Sequence, residues 1–282
     1  MTVSSLRTQI EKIAHEAGAE QVGVAFHDDE THQSWSWHGD LWFHAASTIK
    51  VPVLLGVYGA IHEGLLGEES PVHVRNRFFS LADGSRFRVE ASRDANPDVQ
   101  RAVGRTMKVK DLAHHMIATS SNLATNLLID VIGLEEMQRI LAPLHLDGVE
   151  LRRGVEDEAA WQAGLNNRVT ANGLVQALRL IVEERAFSAD VCGRMLDILH
   201  QQQFREGIPA GLPEGARVAN KTGEISTAAH DAGIVFLPDR EPYVLAVLTQ
   251  WPPDAGGRRR EVIARISQCV FEHLKTWEEE RV

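Results

Sequence analysis

Hydrophobic positions along the chain change period several times, and each change marks a different element. Leu6, Ile10, Ile13 and Ala14 recur at helical spacing and predict a first helix. Val22, Val24 and Phe26 then alternate, a polar turn follows at Asp28-Asp29-Glu30, and Trp35 and Trp37 alternate again. That pattern predicts a hairpin with one buried face. From about Lys50 to His200 the pattern is helical, in the segments VPVLLGVYGAIHEG, KDLAHHMIATS, NLATNLLIDVIG, TANGLVQALRLIVEE and VCGRMLDILHQQ. Strands return at RVANKTG, AGIVFLP and YVLAVLTQ, separated by breakers at Pro238-Asp239 and Pro252-Pro253-Asp254. A last helix, REVIARISQCVFEHLKTWEE, closes the chain. Strands at both ends with helices between predict an α/β (α+β) fold, one antiparallel sheet built from both termini with a helical block inserted. The sheet lobe with its terminal helices is expected over 1–46 and 206–282, the helical lobe over 47–205, and a ligand site at their seam. Between His73 and Thr106 runs a long polar stretch with turn signals at Asp83-Gly84-Ser85 and Asn96-Pro97-Asp98. Loops of that length are usually functional or mobile.

Composition narrows the function classes. A chain of 282 residues that is 44% hydrophobic and 24% charged can bury a sizeable core, which excludes disorder and coiled coil. Lys+Arg 29 against Asp+Glu 39 gives a net charge of −10, so the overall field repels nucleic acid. The best basic cluster, Arg258-Arg259-Arg260, falls at the start of the last helix. No apolar run is long enough to span a membrane, and MTVSSLRTQIEKIAHEAG is an amphipathic helix rather than a secretory signal. Cys192 and Cys269 lie far apart without metal-ligand spacing, and the adjacent His114 and His115 point apart on a helix. No metal or cofactor is expected. The expected partner is a small molecule, the expected state a monomer, and the expected location the cytoplasm, or outside it if a leader has been removed.

Three short motifs carry chemistry. In Ser47-Thr48-Ile49-Lys50 a serine at a helix start and a lysine one turn later share a face. A serine hydroxyl is a weak nucleophile unless a base adjoins it, and a partly desolvated lysine can be that base. The helix N-terminus adds N–H groups for a developing oxyanion. Ser120-Ser121-Asn122 falls between two helical segments, and Lys221-Thr222-Gly223 ends a returning strand. S-x-x-K, S-x-N and K-T-G in that order are the set used by penicillin-recognising serine enzymes. With FHAASTIKVPVLL and ATSSNLATNLLI around the first two motifs, the chain resembles the class A β-lactamase and penicillin-binding-protein superfamily over most of its length.

The resemblance implies the β-lactamase/transpeptidase-like two-lobe fold and a set of roles. Ser47 is the acylated nucleophile and Lys50 its activating base or proton relay. Ser120 shuttles a proton to the leaving nitrogen, and Asn122 binds the substrate's amide carbonyl. Lys221 and Thr222 line the carboxylate side, and the backbone N–H groups of Ser47 and of Glu224, after Gly223, form the oxyanion hole. Asn126 matches a family asparagine that helps hold the deacylating loop.

Departures from the family pattern bear on the deacylating step. The loop RRGVEDEAAWQAGLNNRVTA lacks the family's E-x-x-L-N; Gln162 stands three residues before Leu165-Asn166. Glu156, Asp157 and Glu158 are the carboxylates available to prime a water, with Asp157 or Glu156 favoured. Ser121 stands where class A enzymes usually carry Asp, which removes a structural hydrogen bond. Glu224 replaces a small residue, and its carboxylate is expected to repel a carboxylated ligand. His230 lies near the slot of a carboxylate-binding arginine, where a protonated ring is expected to supply the charge. The implied activity is that of a serine β-lactam hydrolase. A same-fold esterase or D-amino-acid peptidase, and a penicillin-binding sensor that does not hydrolyse, stay open beside it.

Overall fold

The computed structural model describes residues 3–94, 96–253 and 255–279 and divides into two compact units. The first comprises residues 1–48, 169–179 and 204–282, and the second 49–168 and 180–203. The segment 169–179, expected in the helical lobe, clusters with the sheet-bearing unit instead. Asn172 ties it there: its N–H donates to the Gly39 carbonyl, and its amide nitrogen Nδ2 to Asp40.

In the first unit, helix α1 (Val3–Ala17) precedes strands β1 (Gln21–Asp28) and β2 (Gln33–Trp37). The C-terminal part supplies β3 (Arg217–Ile225), β4 (Ala228–Phe236), β5 (Tyr243–Gln250) and a long helix over Arg259–Glu279. All pairings in this sheet are antiparallel, in the order β3-β4-β5-β1-β2, so both termini do build it and β3 is an edge. Val22, Val24 and Phe26 pack with Leu6, Ile10, Ile13, Val262, Ile266 and Val270 in one core cluster. That cluster is what makes the first and last helices amphipathic.

The expected alternation appears in β2 alone, where Gln33, Trp35 and Trp37 are half-buried and Ser34 and Ser36 exposed. Strand β1 is buried from Val22 through Asp28 because it lies inside the sheet and its second face is covered too. The Phe43 ring lies on that face against Gly23, where a Cβ would come within 2.9 Å of it. The polar residues of β1 are partnered: Asp28 with Arg240 and Thr31, and His27 Nδ1 with Ser34 Oγ at 2.7 Å.

The second unit is built around a helix apolar on all sides, α2 (Lys50–His62), buried from Lys50 to Ala60. Such a helix belongs at the centre of its unit. Around it stand α3 (Val109–Ala118), α4 (Asn122–Ile132) and α5 (Leu134–Leu141). The sequence reading passed over α5, whose apolar Met137, Ile140 and Leu141 are buried. The polar stretch from His73 to Thr106 holds structure of its own: Pro71–His73 pairs with Thr106–Lys108, and Phe78–Phe79 with Arg86–Phe87. Inside it Asn76 Nδ2 donates to the Val89 carbonyl and Asn76 Oδ1 accepts the Val89 N–H, at 2.7 and 2.8 Å. Among the described residues, no helix is long and apolar enough to cross a membrane.

Candidate active site

Ser47 lies in a single 3₁₀ turn, Ala46–Ile49, that runs directly into α2 at Lys50. The turn is fixed from outside. Ala46 holds a left-handed backbone, φ 45°, and its N–H donates to His44 Nδ1 at 3.0 Å. The Ala45 carbonyl accepts both the N–H and the hydroxyl of Thr48. A non-glycine residue in that conformation costs on the order of 1–3 kcal/mol, and such strain gathers at functional sites. Ser120 (φ 58°) and Glu156 (φ 64°) share it.

The first unit brings the K-T-G strand to the serine. A Cβ on Gly223 would stand 2.9 Å from the Thr48 nitrogen and 3.0 Å from the Ser47 nitrogen. Only a glycine lets edge strand β3 approach the Ser47 amide this closely. Lys221 is fully buried, its Nζ donating to the Thr222 carbonyl at 2.8 Å. Burial pushes its ammonium down to about 7, while buried Asp231 pulls the other way. Asp231 in turn accepts the Ile208 N–H and the Asn220 amide at 2.8 and 2.9 Å, and burial raises its carboxyl to about 6.

Two expectations for this unit need correction. His230 is 2% exposed, its Nε2 donating to the His44 carbonyl at 2.9 Å and its Nδ1 accepting the Thr249 N–H at 3.1 Å. Both ring nitrogens of a neutral imidazole are thus used, and burial pushes the pKa down to about 4, so the ring is no cation for a ligand. Nor does Glu224 stand as a bare negative charge. It meets Arg259 Nη2 at 2.9 Å and Arg260 Nε at 2.7 Å at the start of the last helix. The basic run in the sequence is therefore the counter-charge of the residue after K-T-G.

The second unit gathers Lys50, Ser120, Asn122 and Glu156. Lys50 is fully buried, and its Nζ donates to the Ser120 carbonyl at 2.8 Å, Ser120 Oγ at 3.1 Å and Asn122 Oδ1 at 2.8 Å. Asn122 directs its amide hydrogens to Glu156 Oε1 at 2.7 Å and the Arg93 carbonyl at 3.2 Å. The run of polar atoms therefore goes from Lys50 through Asn122 to a carboxylate.

The loop after α5 separates its three acids. Asn126 grips the loop by a reciprocal pair, Nδ2 to the Val155 carbonyl at 2.8 Å and the Val155 N–H to Oδ1 at 2.7 Å. The next residue, Glu156, turns its carboxylate to Asn122, and its other oxygen accepts the Glu90 N–H at 3.2 Å. Asp157 is buried and points elsewhere, capping the short helix Glu158–Gln162 through Ala160 N at 3.0 Å and accepting the Leu81 N–H at 3.2 Å. Glu158 is exposed.

Sequence reasoning missed Asp94 altogether. It comes from the polar stretch before α3 and accepts from Ser121 Oγ, Asn122 N and Leu123 N at 3.2, 3.0 and 3.1 Å. No spacing rule links it to the second motif. Its only sequence signal was the length of the loop that carries it.

Known proteins are similar to this chain in sequence and in fold. The chain is 26% identical over 262 residues to a β-lactamase of Bacillus licheniformis, covering 90% of this chain and 79% of that one. The solved structure of PBP-A superposes with a TM-score of 0.82 at 24% identity, covering 97% of each chain. A mutant of PBP-A, solved as an acyl-enzyme complex with penicillin G, gives 0.81 at 24% identity, again over 97% of each. The family described as the Beta-lactamase enzyme family matches residues 5–274, and the chain belongs to it, a serine hydrolase of the class A β-lactamase family with the β-lactamase/transpeptidase-like fold.

Proposed function

We propose that this protein hydrolyses β-lactam amides through an acyl-enzyme at Ser47. The observation that carries the reading is the seat of Lys50, buried one turn after Ser47 with Nζ on Ser120 Oγ and Asn122 Oδ1. In acylation the Ser47 hydroxyl attacks the lactam carbonyl while Lys50, as the neutral amine, takes its proton and hands a hydrogen on to Ser120 Oγ. The N–H groups of Ser47 and Glu224 receive the oxyanion, which Gly223 permits by its close approach. Ser120 delivers a proton to the departing ring nitrogen, and the C–N bond breaks. Lys221 and Thr222 bind the ligand's carboxylate. In deacylation Glu156 takes a proton from the attacking water, the ester bond to Ser47 breaks, and that proton is returned to Ser47 Oγ as it leaves. Asn122 acts between Lys50 and Glu156 rather than as a free donor to substrate. Asp157, with its oxygens on backbone N–H groups, holds the loop.

One observation favours a second reading, in which acylation is fast and turnover weak. The Glu156 carboxylate is held on one oxygen by Asn122 Nδ2 and on the other by the Glu90 N–H, which restricts the direction from which it meets a water. PBP-A, which covers nearly the whole chain, is a penicillin-binding relative in which a mutant acyl-enzyme was captured. A small, monomeric, β-lactam-degrading enzyme able to confer antibiotic resistance is the wider reading; an esterase or D-amino-acid peptidase remains the competitor. Intact mass after mixing with penicillin G, alongside hydrolysis of a chromogenic β-lactam and a short-chain ester, tests all of these. The proposal expects one added penicillin mass on wild type and none on Ser47→Ala. Ester hydrolysis without any penicillin adduct would overturn it.

A further inference from the structure

We infer that Asp94 is a positioning residue for acylation, doing from the preceding loop what the residue at 121 does in class A relatives. The inference rests on the proposed acyl-enzyme chemistry and deepens it. Ser121 replaces the Asp that class A enzymes usually carry in the middle of the second motif, and a lost structural hydrogen bond was the expectation. In this chain a carboxylate reaches the start of α4 from another segment: Asp94, 9% exposed, lies against Ser121 and the residues after it. Its Oδ2 accepts the Ser121 hydroxyl at 3.2 Å and the Leu123 N–H at 3.1 Å, and its Oδ1 accepts the Asn122 N–H at 3.0 Å.

Those are the donors that a helix start leaves without partners. Asn122 and Leu123 are the first two residues of α4, and Ser121 Oγ takes the third N–H, that of Ala124, at 3.1 Å. Together Asp94 and Ser121 satisfy the first turn, with the negative charge at the positive end of the helix. The residue just before is Ser120, whose left-handed φ of 58° is costly and persists only where the surroundings fix it. Ser120 and Asn122 carry the oxygens on Lys50 Nζ. Asp94 therefore sets the backbone that aims both oxygens at the lysine, without touching substrate itself. Its own position is set by the Gln100 amide, which donates to Oδ2 at 3.2 Å.

A carboxylate swap tests this. Asp94→Asn removes the charge and turns an amide N–H2 toward one of the three donors. Ser121→Asp sets two carboxylates face to face. The double variant Asp94→Asn/Ser121→Asp restores one carboxylate at the helix start. Readouts are the limiting acylation rate with penicillin G, its non-covalent Kd, the adduct lifetime and the thermal midpoint. Each single variant is expected to acylate at least tenfold more slowly with Kd and adduct lifetime within twofold of wild type. The double variant is expected to return to within threefold of the wild-type rate. If a single variant does not fold, the folded double variant decides alone: acylation within threefold of wild type supports the role, and a rate tenfold lower overturns it. Wild-type rates in Asp94→Asn also overturn it. A wild-type chain that takes up no penicillin mass overturns the acyl-enzyme reading and this inference together, whereas wild-type labelling with no difference among the variants overturns this inference alone.

Discussion

Glu156→Gln separates the two halves of the proposed reaction, and its size follows from the contacts. The carboxylate makes one bond to Asn122 Nδ2 at 2.7 Å and one to the Glu90 N–H at 3.2 Å. A glutamine keeps the first through its carbonyl oxygen but turns an N–H2 toward Glu90. Losing that second, partly exposed bond costs about 1 kcal/mol, small against a typical stability of about 5–15 kcal/mol. The variant therefore stays folded. Lys50 reaches Asn122 through Oδ1, which Glu156 does not touch, so acylation should stay within a few-fold of wild type. Deacylation loses its base, and a positioned general base is worth about 10²–10⁴ in rate. The penicillin adduct should persist longer by about that factor. Rapid quenching followed by intact mass gives both rates in one time course. Equal adduct lifetimes in wild type and variant, with both acylated, would refute the assignment and move the base elsewhere.

Asp157→Ala should act on stability instead, because it removes a helix cap worth about 0.5–2 kcal/mol and leaves the Leu81 N–H without its acceptor. A urea melt should show the loss while the adduct lifetime stays within a few-fold. Gly223→Ala drives a methyl to within 3.0 Å of the Ser47 and Thr48 nitrogens, and a shift on the order of 1 Å costs about a hundredfold in rate. Stopped-flow acylation at wild-type rate would remove the Ser47 amide from the oxyanion site. His230 has a folded pKa of about 4 against an ordinary value near 6.5. Between those values the unfolded chain binds the proton and the folded one does not, so its contribution is present above about 6.5 and is lost as pH falls toward 4. Denaturant midpoints of His230→Gln should fall less steeply over that window than those of wild type, and between about pH 5.5 and 8, a span that brackets an ordinary histidine, penicillin affinity should follow the same pH profile in His230→Gln as in wild type.

By itself the sequence determined whatever rests on local spacing. Helical and alternating periods placed the terminal sheet and most of the helices, because a buried face imposes its period on neighbouring residues. Ser47 and Lys50 were readable as a pair because a helical turn sets their separation whatever surrounds them. The order of S-x-x-K, S-x-N and K-T-G supplied the family. Tertiary structure alone decided which acid of Glu156-Asp157-Glu158 faces Asn122, since three adjacent carboxylates look alike until the loop's backbone turns one inward, one down into a cap and one to solvent. It also decided that His230 is a buried neutral ring, that Arg259 and Arg260 cancel Glu224, and that Asp94 meets the first two N–H groups of α4. Each of these depends on groups brought together across long stretches of chain, where burial and hydrogen-bond geometry, rather than spacing, select the partner.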